Sequence, residues 1–124
     1  MKLCFIGMRG HHGYAIDGLK QMPELEVPAI SPGCSDDIAP LLEKCRTAGR
    51  RPVIHQDWKK MLDEIHPDIV CIDGPFELHA EMSVEALKRE IHVFCEKPIA
   101  LTGKDLDLVR DAYSNTKGIH LSSM

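Results

Sequence analysis

The chain has 124 residues, of which 44% are hydrophobic and 27% charged, and a formal net charge of -4. This balance excludes an intrinsically disordered chain and gives no reason to expect a nucleic-acid partner. No apolar run approaches the roughly 18 residues of a membrane span, and the first apolar run is cut off by Gly7, so we predict neither a membrane helix nor a signal peptide.

Short apolar runs alternate with amphipathic segments along the whole chain. The apolar runs predict strands, and hydrophobic residues at helical spacing predict the helices between them. Pro28 interrupts the second strand, which indicates an edge position, a bulge or an early strand start. We predict strands at residues 2–6, 26–30, 53–54, 68–72, 92–95 and 118–123. We predict helices at residues 13–22, 38–45, 58–65, 76–89 and 103–113.

Strands that are apolar along their whole length are typical of a parallel sheet covered by helices on both faces. With right-handed crossovers, this alternation predicts an α/β fold, a doubly wound parallel sheet of Rossmann-like type, in a single domain over residues 1–124. A flavodoxin-like strand order fits the number of elements equally well. The loops that follow the strands must decide between the two.

The five cysteines indicate a reduced protein. They are odd in number, never form a CxxC pair, and three of them lie inside apolar strand-like runs. Buried thiols of this kind favour a cytoplasmic location and provide no zinc-ligand spacing. We therefore predict no metal site.

The loop after the first strand has the sequence GMRGHHG, from Gly7 to Gly13. Glycines between a strand and a helix leave backbone N–H groups open to an anion. We therefore predict a phosphate site built from Gly7, Gly10, Gly13 and the backbone of Met8. Arg9 stands where the common G-x-G-x-x-G pattern has a glycine, and it either pairs with a phosphate or is solvated.

Two adjacent histidines, His11 and His12, lie in the same loop. Adjacent side chains at the start of a helix point apart, and no third metal ligand is evident. We interpret both as loop and helix-cap residues.

The segment after the second strand bears on the choice of cofactor. An acid at this position binds the ribose hydroxyls in NAD-binding sheets, but Ser31 occupies the strand end. The acids Asp36 and Asp37 come later, where they are placed to cap a helix. The missing acid reduces the repulsion of a 2′-phosphate, yet no arginine follows to bind one, so the choice between NAD and NADP stays open.

Polar residues also follow the later strands. In the sequence DGPFELH, residues 73–79, Phe76 either packs near a bound cofactor or belongs to the core. For His79 we favour a structural hydrogen-bonding role over a catalytic one. Glu96 and Lys97 end the next buried strand. Two charges at such a position need partners or a function.

The segment DIVCIDGPFELHAEMSVEALKREIHVFCEKPIA, residues 68–100, resembles the amino-terminal domain of the Gfo/Idh/MocA oxidoreductases, which include glucose–fructose oxidoreductase and inositol dehydrogenase. The shared features are a strand, a proline turn, a histidine at the helix start and the E-K-P signature. The HQDWKKML segment and the glycine turn also resemble the family, so the resemblance covers nearly the whole chain. The glycine spacing departs from the family, as does Asp73, which stands where the family often has a small or neutral residue.

The resemblance implies the cofactor-binding domain of an NAD(P)-dependent oxidoreductase that acts on a sugar, a polyol or a related hydroxyl compound. Lys97 is then the catalytic candidate, because its ammonium can orient a hydroxyl and stabilise negative charge, while Glu96 positions its loop through an ion pair or hydrogen bonds. The candidate residues for binding NAD or NADP are Gly7, Met8, Arg9, Gly10, Gly13, Ser31, Asp73, Pro75, Phe76, His79, Glu96 and Lys97.

Further expectations follow from the resemblance. The family's second, substrate-binding domain is absent from this sequence, so we interpret the chain as a fragment that is catalytically silent alone and whose exposed apolar surface favours self-association. We also predict a cis Lys97–Pro98 bond. Bulky residues at Gly7 or Gly10 are expected to weaken dinucleotide binding more than folding. The alternatives are a nucleotide-binding module without catalysis and a flavodoxin-like domain that binds no dinucleotide.

Overall fold

The computed structural model describes residues 1–124 and contains one six-stranded sheet. Along the sheet the strand order is β3-β2-β1-β4-β5-β6, and all paired neighbours are parallel. This is the Rossmann order, so the predicted doubly wound fold is confirmed and the flavodoxin-like alternative is wrong. The strands are β1 (Leu3–Gly7), β2 (Ala29–Ser31), β3 (Val53–Ile54), β4 (Ile69–Asp73), β5 (His92–Cys95) and β6 (Leu121–Ser123).

Five α-helices connect the strands, and a short 3-10 turn, Phe76–Leu78, precedes the fourth helix. Side chains cap two of these helices: the Asp57 side chain accepts hydrogen bonds from two backbone N–H groups of the third helix, and the Thr102 hydroxyl accepts one at the start of the fifth. The helices are α1 (Gly13–Leu19), α2 (Ala39–Thr47), α3 (Trp58–Ile65), α4 (His79–Lys88) and α5 (Gly103–Ser114).

Several element ends differ from the prediction, and the causes are local. Pro28 has no N–H to donate to a neighbouring strand, so β2 begins after it, at Ala29 rather than at residue 26, and extends to Ser31. The helix predicted to reach residue 22 ends at Leu19, shortly before Pro23. Gly118 has a φ of 70°, and the turn that this conformation makes delays β6 to Leu121.

The core has two halves, one on each face of the sheet. Alternate residues of β1 point to opposite faces: Phe5 packs with α1 and α2, whereas Ile6 packs with α3, α4 and α5. Because helices cover both faces of the sheet, its faces are apolar. The polar residues that follow the strands lie in the loops at the carboxyl edge. No helix in the structure has the length and apolar character that crossing a membrane requires.

Candidate functional site

The carboxyl ends of β1, β4 and β5 lie side by side. Gly7 pairs in register with Asp73, and Ile72 pairs with Cys95, so the residues that follow these strands meet at one edge. Gly7 has a φ of 81°, and a Cβ atom added to it would overlap the Gly74 backbone, 2.5 Å from its nitrogen. A glycine is therefore required at this position for two strand ends to approach each other.

Asp73 is fully buried and binds the glycine loop through its carboxylate. One oxygen accepts the backbone N–H of Gly10 at 2.7 Å, and the other accepts the backbone N–H of His12 at 3.0 Å and its ring Nδ1–H at 2.7 Å. The Asp73 carbonyl also accepts the backbone N–H of Arg9 at 2.8 Å. Asp73 thus satisfies three backbone donors of one loop.

Glu96 approaches the same loop from β5. Its Oε2 accepts the backbone N–H of His11 at 2.7 Å and lies 2.7 Å from the ring Nδ1 of the same residue. Its Oε1 accepts the backbone N–H of Lys97 at 2.9 Å. Burial acts to raise the pKa of Glu96, but these hydrogen bonds outweigh it and hold the pKa below its usual value. The residue is only 1% exposed and carries a charge at neutral pH.

Gly10 makes room for both carboxylates. A Cβ atom at Gly10 would overlap Oε2 of Glu96 and would lie 2.7 Å from Oδ1 of Asp73. The space that a glycine commonly leaves for a phosphate is therefore filled by protein side chains, and the N–H groups of residues 9–12 all have protein acceptors. In this conformation the loop does not fit the diphosphate of a dinucleotide.

His12 extends the network to α2. Its Nε2 lies 2.8 Å from the ammonium of Lys44, while its Nδ1 faces Asp73. Lys44 can only donate, so Nε2 accepts and the ring proton sits on Nδ1. The two histidines do point apart, as expected, and no group of three metal-binding side chains exists in the chain.

Arg9 neither faces an open phosphate position nor stands free in solvent. Its Nη2 donates to Oδ1 of Asp36 at 2.9 Å, which joins the glycine loop to the segment after β2. The hydrogen bond from Arg9 lowers the pKa of Asp36 to about 2. Neither acid is the N-cap of α2, which is Ile38 without a side-chain cap, so that expectation is wrong; Asp37 accepts the N–H of Ala39 at 2.9 Å from the turn before the helix.

His79 has a structural position. It is fully buried at the start of α4, with Nδ1 2.9 Å from the carbonyl oxygen of Pro98 and Nε2 3.0 Å from that of Gly74. Its ring thus links the loops after β4 and β5. Phe76 is 45% exposed and contacts the His79 ring edge-on, so it is not a core residue.

Lys97 is exposed at the end of β5, and its side chain forms no hydrogen bond or ion pair in the chain. The Lys97–Pro98 bond is cis, as predicted.

The remaining candidate residues lie in or beside the loops at this edge. Ser31 is buried in β2, where its hydroxyl accepts the N–H of Gly33 at 3.4 Å, and Pro75 begins the turn before α4. Met8 packs against the core on the α1 side, and Gly13 begins α1 with open space around it. The structure therefore brings Gly7, Gly10, Asp73, Glu96 and Lys97 together. Ser31 lies beside them, since it pairs in register with Ile6, and Gly13 lies at the far end of the glycine loop, where α1 begins.

Sequence reasoning missed two partners in this network. Lys44 lies 32 residues from His12 in the sequence, and no motif or spacing around Lys44 indicates that it contacts this loop. The pairing of Arg9 with Asp36 spans 27 residues and likewise depends on tertiary structure.

Comparisons with known proteins agree with this fold. The sequence profile of the Gfo/Idh/MocA oxidoreductase family, which describes an NAD-binding Rossmann fold, matches residues 6–121. Levoglucosan dehydrogenase of Pseudarthrobacter phenanthrenivorans is 34% identical over 65 residues, which are 52% of this chain and 17% of that protein.

Two solved structures extend the likeness over almost the whole chain. One from Thermotoga maritima matches with a TM-score of 0.92 at 35% identity, covering 100% of this chain and 38% of that chain. A levoglucosan dehydrogenase in complex with NADH and L-sorbose matches with a TM-score of 0.75 at 25% identity, covering 98% of this chain and 33% of that one. The chain thus spans only about a third of the solved chains that it matches.

Proposed function

Because this chain belongs to the Gfo/Idh/MocA oxidoreductase family, with its NAD-binding Rossmann fold, we propose that it is the cofactor-binding part of a dehydrogenase that oxidises a hydroxyl group of a sugar, a polyol or a related compound. Its relatives support this substrate class. One acts on levoglucosan, and the solved levoglucosan dehydrogenase holds NADH and L-sorbose.

The position of Lys97 carries the proposal. It follows β5 at the carboxyl edge of the sheet, where doubly wound folds bind their ligands, and its ammonium has no protein partner. Glu96 fixes the backbone beside it through the hydrogen bonds to His11 and to the Lys97 N–H. A free ammonium held on a fixed backbone can orient a substrate hydroxyl and stabilise negative charge on its oxygen.

NAD and NADP both stand as cofactor candidates. Arg9 reaches the segment after β2, where it would meet a 2′-phosphate, but Asp36 already neutralises it. Charge at this position therefore does not select either dinucleotide, and a test must include both. The dinucleotide would supply the oxidant, and Lys97 acts on the substrate hydroxyl.

We expect saturable binding of NADH or NADPH to the 124-residue chain in a calorimetric titration that extends to millimolar ligand, and none of FMN. Lys97→Met is the matched variant: it removes the ammonium but keeps the length of the side chain, and it is expected to keep most of the dinucleotide affinity because Lys97 acts on substrate. Absence of binding by both dinucleotides, in the parent and in variants of Asp73 and Glu96, whose carboxylates occupy the glycine-loop N–H groups, would show that the proposal is wrong.

The isolated chain is expected to be catalytically silent. Hydride transfer needs the substrate held about 3–3.5 Å from the nicotinamide, and one domain offers no opposite wall to hold it there. The measurement is a screen of sugars and polyols with NAD and NADP, followed at the absorbance of the reduced cofactor. Turnover by purified chain that disappears in Lys97→Ala would contradict the expected silence while supporting the role of Lys97.

A further inference from the structure

The N–H groups of the glycine loop already hold an anion of the protein's own. In doubly wound folds the diphosphate of a dinucleotide lies on the first glycine loop, bound by its backbone N–H groups. In this chain the N–H groups of Gly10 and His12 donate to Asp73, and that of His11 donates to Glu96. Two carboxylates thus provide the hydrogen bonds that phosphate oxygens would otherwise provide.

We propose that Asp73 and Glu96 are internal ligands that stand in the place of a diphosphate, and that a dinucleotide binds this chain only when at least Glu96 leaves the loop. This inference rests on the proposed function, because it concerns the same site, and it adds a competing occupant to that site.

Space supports the inference. A Cβ atom at Gly10 would overlap Glu96 Oε2 and would lie within 2.8 Å of both Oδ1 of Asp73 and the carboxyl carbon of Glu96. A phosphate oxygen that reached the N–H of Gly10 or His11 would need the volume that these oxygens occupy.

Charge supports it as well. A diphosphate beside two buried carboxylates would bring like charges together where little water screens them. The cations nearby are not paired with these carboxylates: Arg9 is bound to Asp36, Lys44 donates to His12, and the Lys97 side chain forms no hydrogen bond or ion pair. The two carboxylates therefore oppose the approach of an anion to the loop N–H groups.

The two carboxylates differ in how firmly they are held. Asp73 is 0% exposed and is bound by His12, which is itself buried and held by Lys44. Glu96 is bound by His11, whose side chain is 53% exposed. Glu96 is thus the group with the weaker hold, and a rotation of its side chain away from His11 frees one N–H and clears space at Gly10.

The experiment is a titration of the parent chain, Glu96→Gln and Asp73→Ala with NADH by calorimetry. Both variants remove one negative charge from the loop; Glu96→Gln keeps one acceptor oxygen and the side-chain volume, whereas Asp73→Ala removes both acceptor oxygens. Glu77→Gln is the matched control, since it removes one charge from the exposed turn before α4 without touching the loop N–H groups. We expect NADH affinity to rise by about tenfold or more in the two loop variants and to stay at the parental value in the control, because hydrogen bonds to charged acceptors no longer have to be displaced.

Amide chemical shifts provide a readout that needs no cofactor. In the parent, the ¹⁵N–H signals of Gly10, His11 and His12 should be protected from hydrogen exchange. Glu96→Gln should shift the His11 signal, and Asp73→Ala should shift those of Gly10 and His12. If Asp73→Ala does not fold, Glu96→Gln alone carries the same comparison.

The outcomes separate the two proposals. Parental NADH affinity that equals that of both loop variants overturns the internal-ligand inference and leaves the dehydrogenase proposal in place. Loop N–H groups that exchange freely in the parent also overturn it. Loop signals that behave as expected, with no NADH or NADPH binding by any variant, support the internal ligands and overturn the dinucleotide function.

Discussion

Gly7→Ala is expected to lower the free energy of unfolding by about 3 kcal/mol or more. The residue has a φ of 81°, which side chains rarely adopt, and its added Cβ would overlap backbone atoms of Gly74 that belong to the neighbouring strand end. Backbone cannot rotate away as a flexible side chain can, so β1 and β4 would have to separate where both enter the site. Urea denaturation followed by circular dichroism measures the change.

Gly18→Ala is the control for this prediction. It lies in α1, has open space where its Cβ would go, and is expected to stabilise the chain by up to about 1 kcal/mol. A Gly7→Ala protein as stable as the parent would show that the strand ends can move apart freely. For Gly7, unlike the prediction from sequence, we therefore expect substitution to damage folding at least as much as ligand binding.

His79→Leu is expected to cost about 2–3 kcal/mol, since it removes the ring N–H that donates to one of the two facing carbonyl oxygens, of Gly74 or Pro98, and leaves that oxygen without a donor. The side chain is fully buried, so water cannot replace the lost contacts without opening the structure. The loops after β4 and β5 would lose the link between them. The same urea denaturation measures the loss.

Met82→Leu on the same helix separates the loss of hydrogen bonds from the disturbance of packing. Met82 is also fully buried, and a swap of nearly equal volume is expected to cost less than about 1.5 kcal/mol. Equal losses in the two variants would assign the effect of His79→Leu to packing.

The fold was readable from the sequence because its main signals are local. β1, β4 and β5 are continuous apolar runs, and α3 begins at an aspartate that caps it. Hydrophobic spacing and caps act over a few residues, so they can be recognised without knowing the partners. Strand order is not a local property, and the number of elements is compatible with the flavodoxin-like order as well. The pairing of β1 with both β2 and β4 excludes that order.

The site was readable only in part. The sequence placed Asp73, Glu96 and the glycine loop at one edge, since the carboxyl ends of parallel strands meet there. It did not indicate that the carboxylates would bind the loop, because those hydrogen bonds join residues 61 to 85 positions apart. The three glycines have the composition of an anion site, but whether their N–H groups are open or already bound depends on side chains from two other strands.

The burial of four of the five cysteines leaves one thiol accessible to chemical labelling. Burial raises the pKa of Cys4 to about 12, that of Cys45 to about 11 and that of Cys95 to about 12, and it holds the pKa of Cys71 far above its usual value. Cys34 alone is partly exposed, and its sulfur lies 3.9 Å from the Arg9 guanidinium. An alkylating fluorophore at neutral pH therefore attaches at one position, beside the pair that joins the glycine loop to β2, and its emission reports on that loop without any change to the sequence.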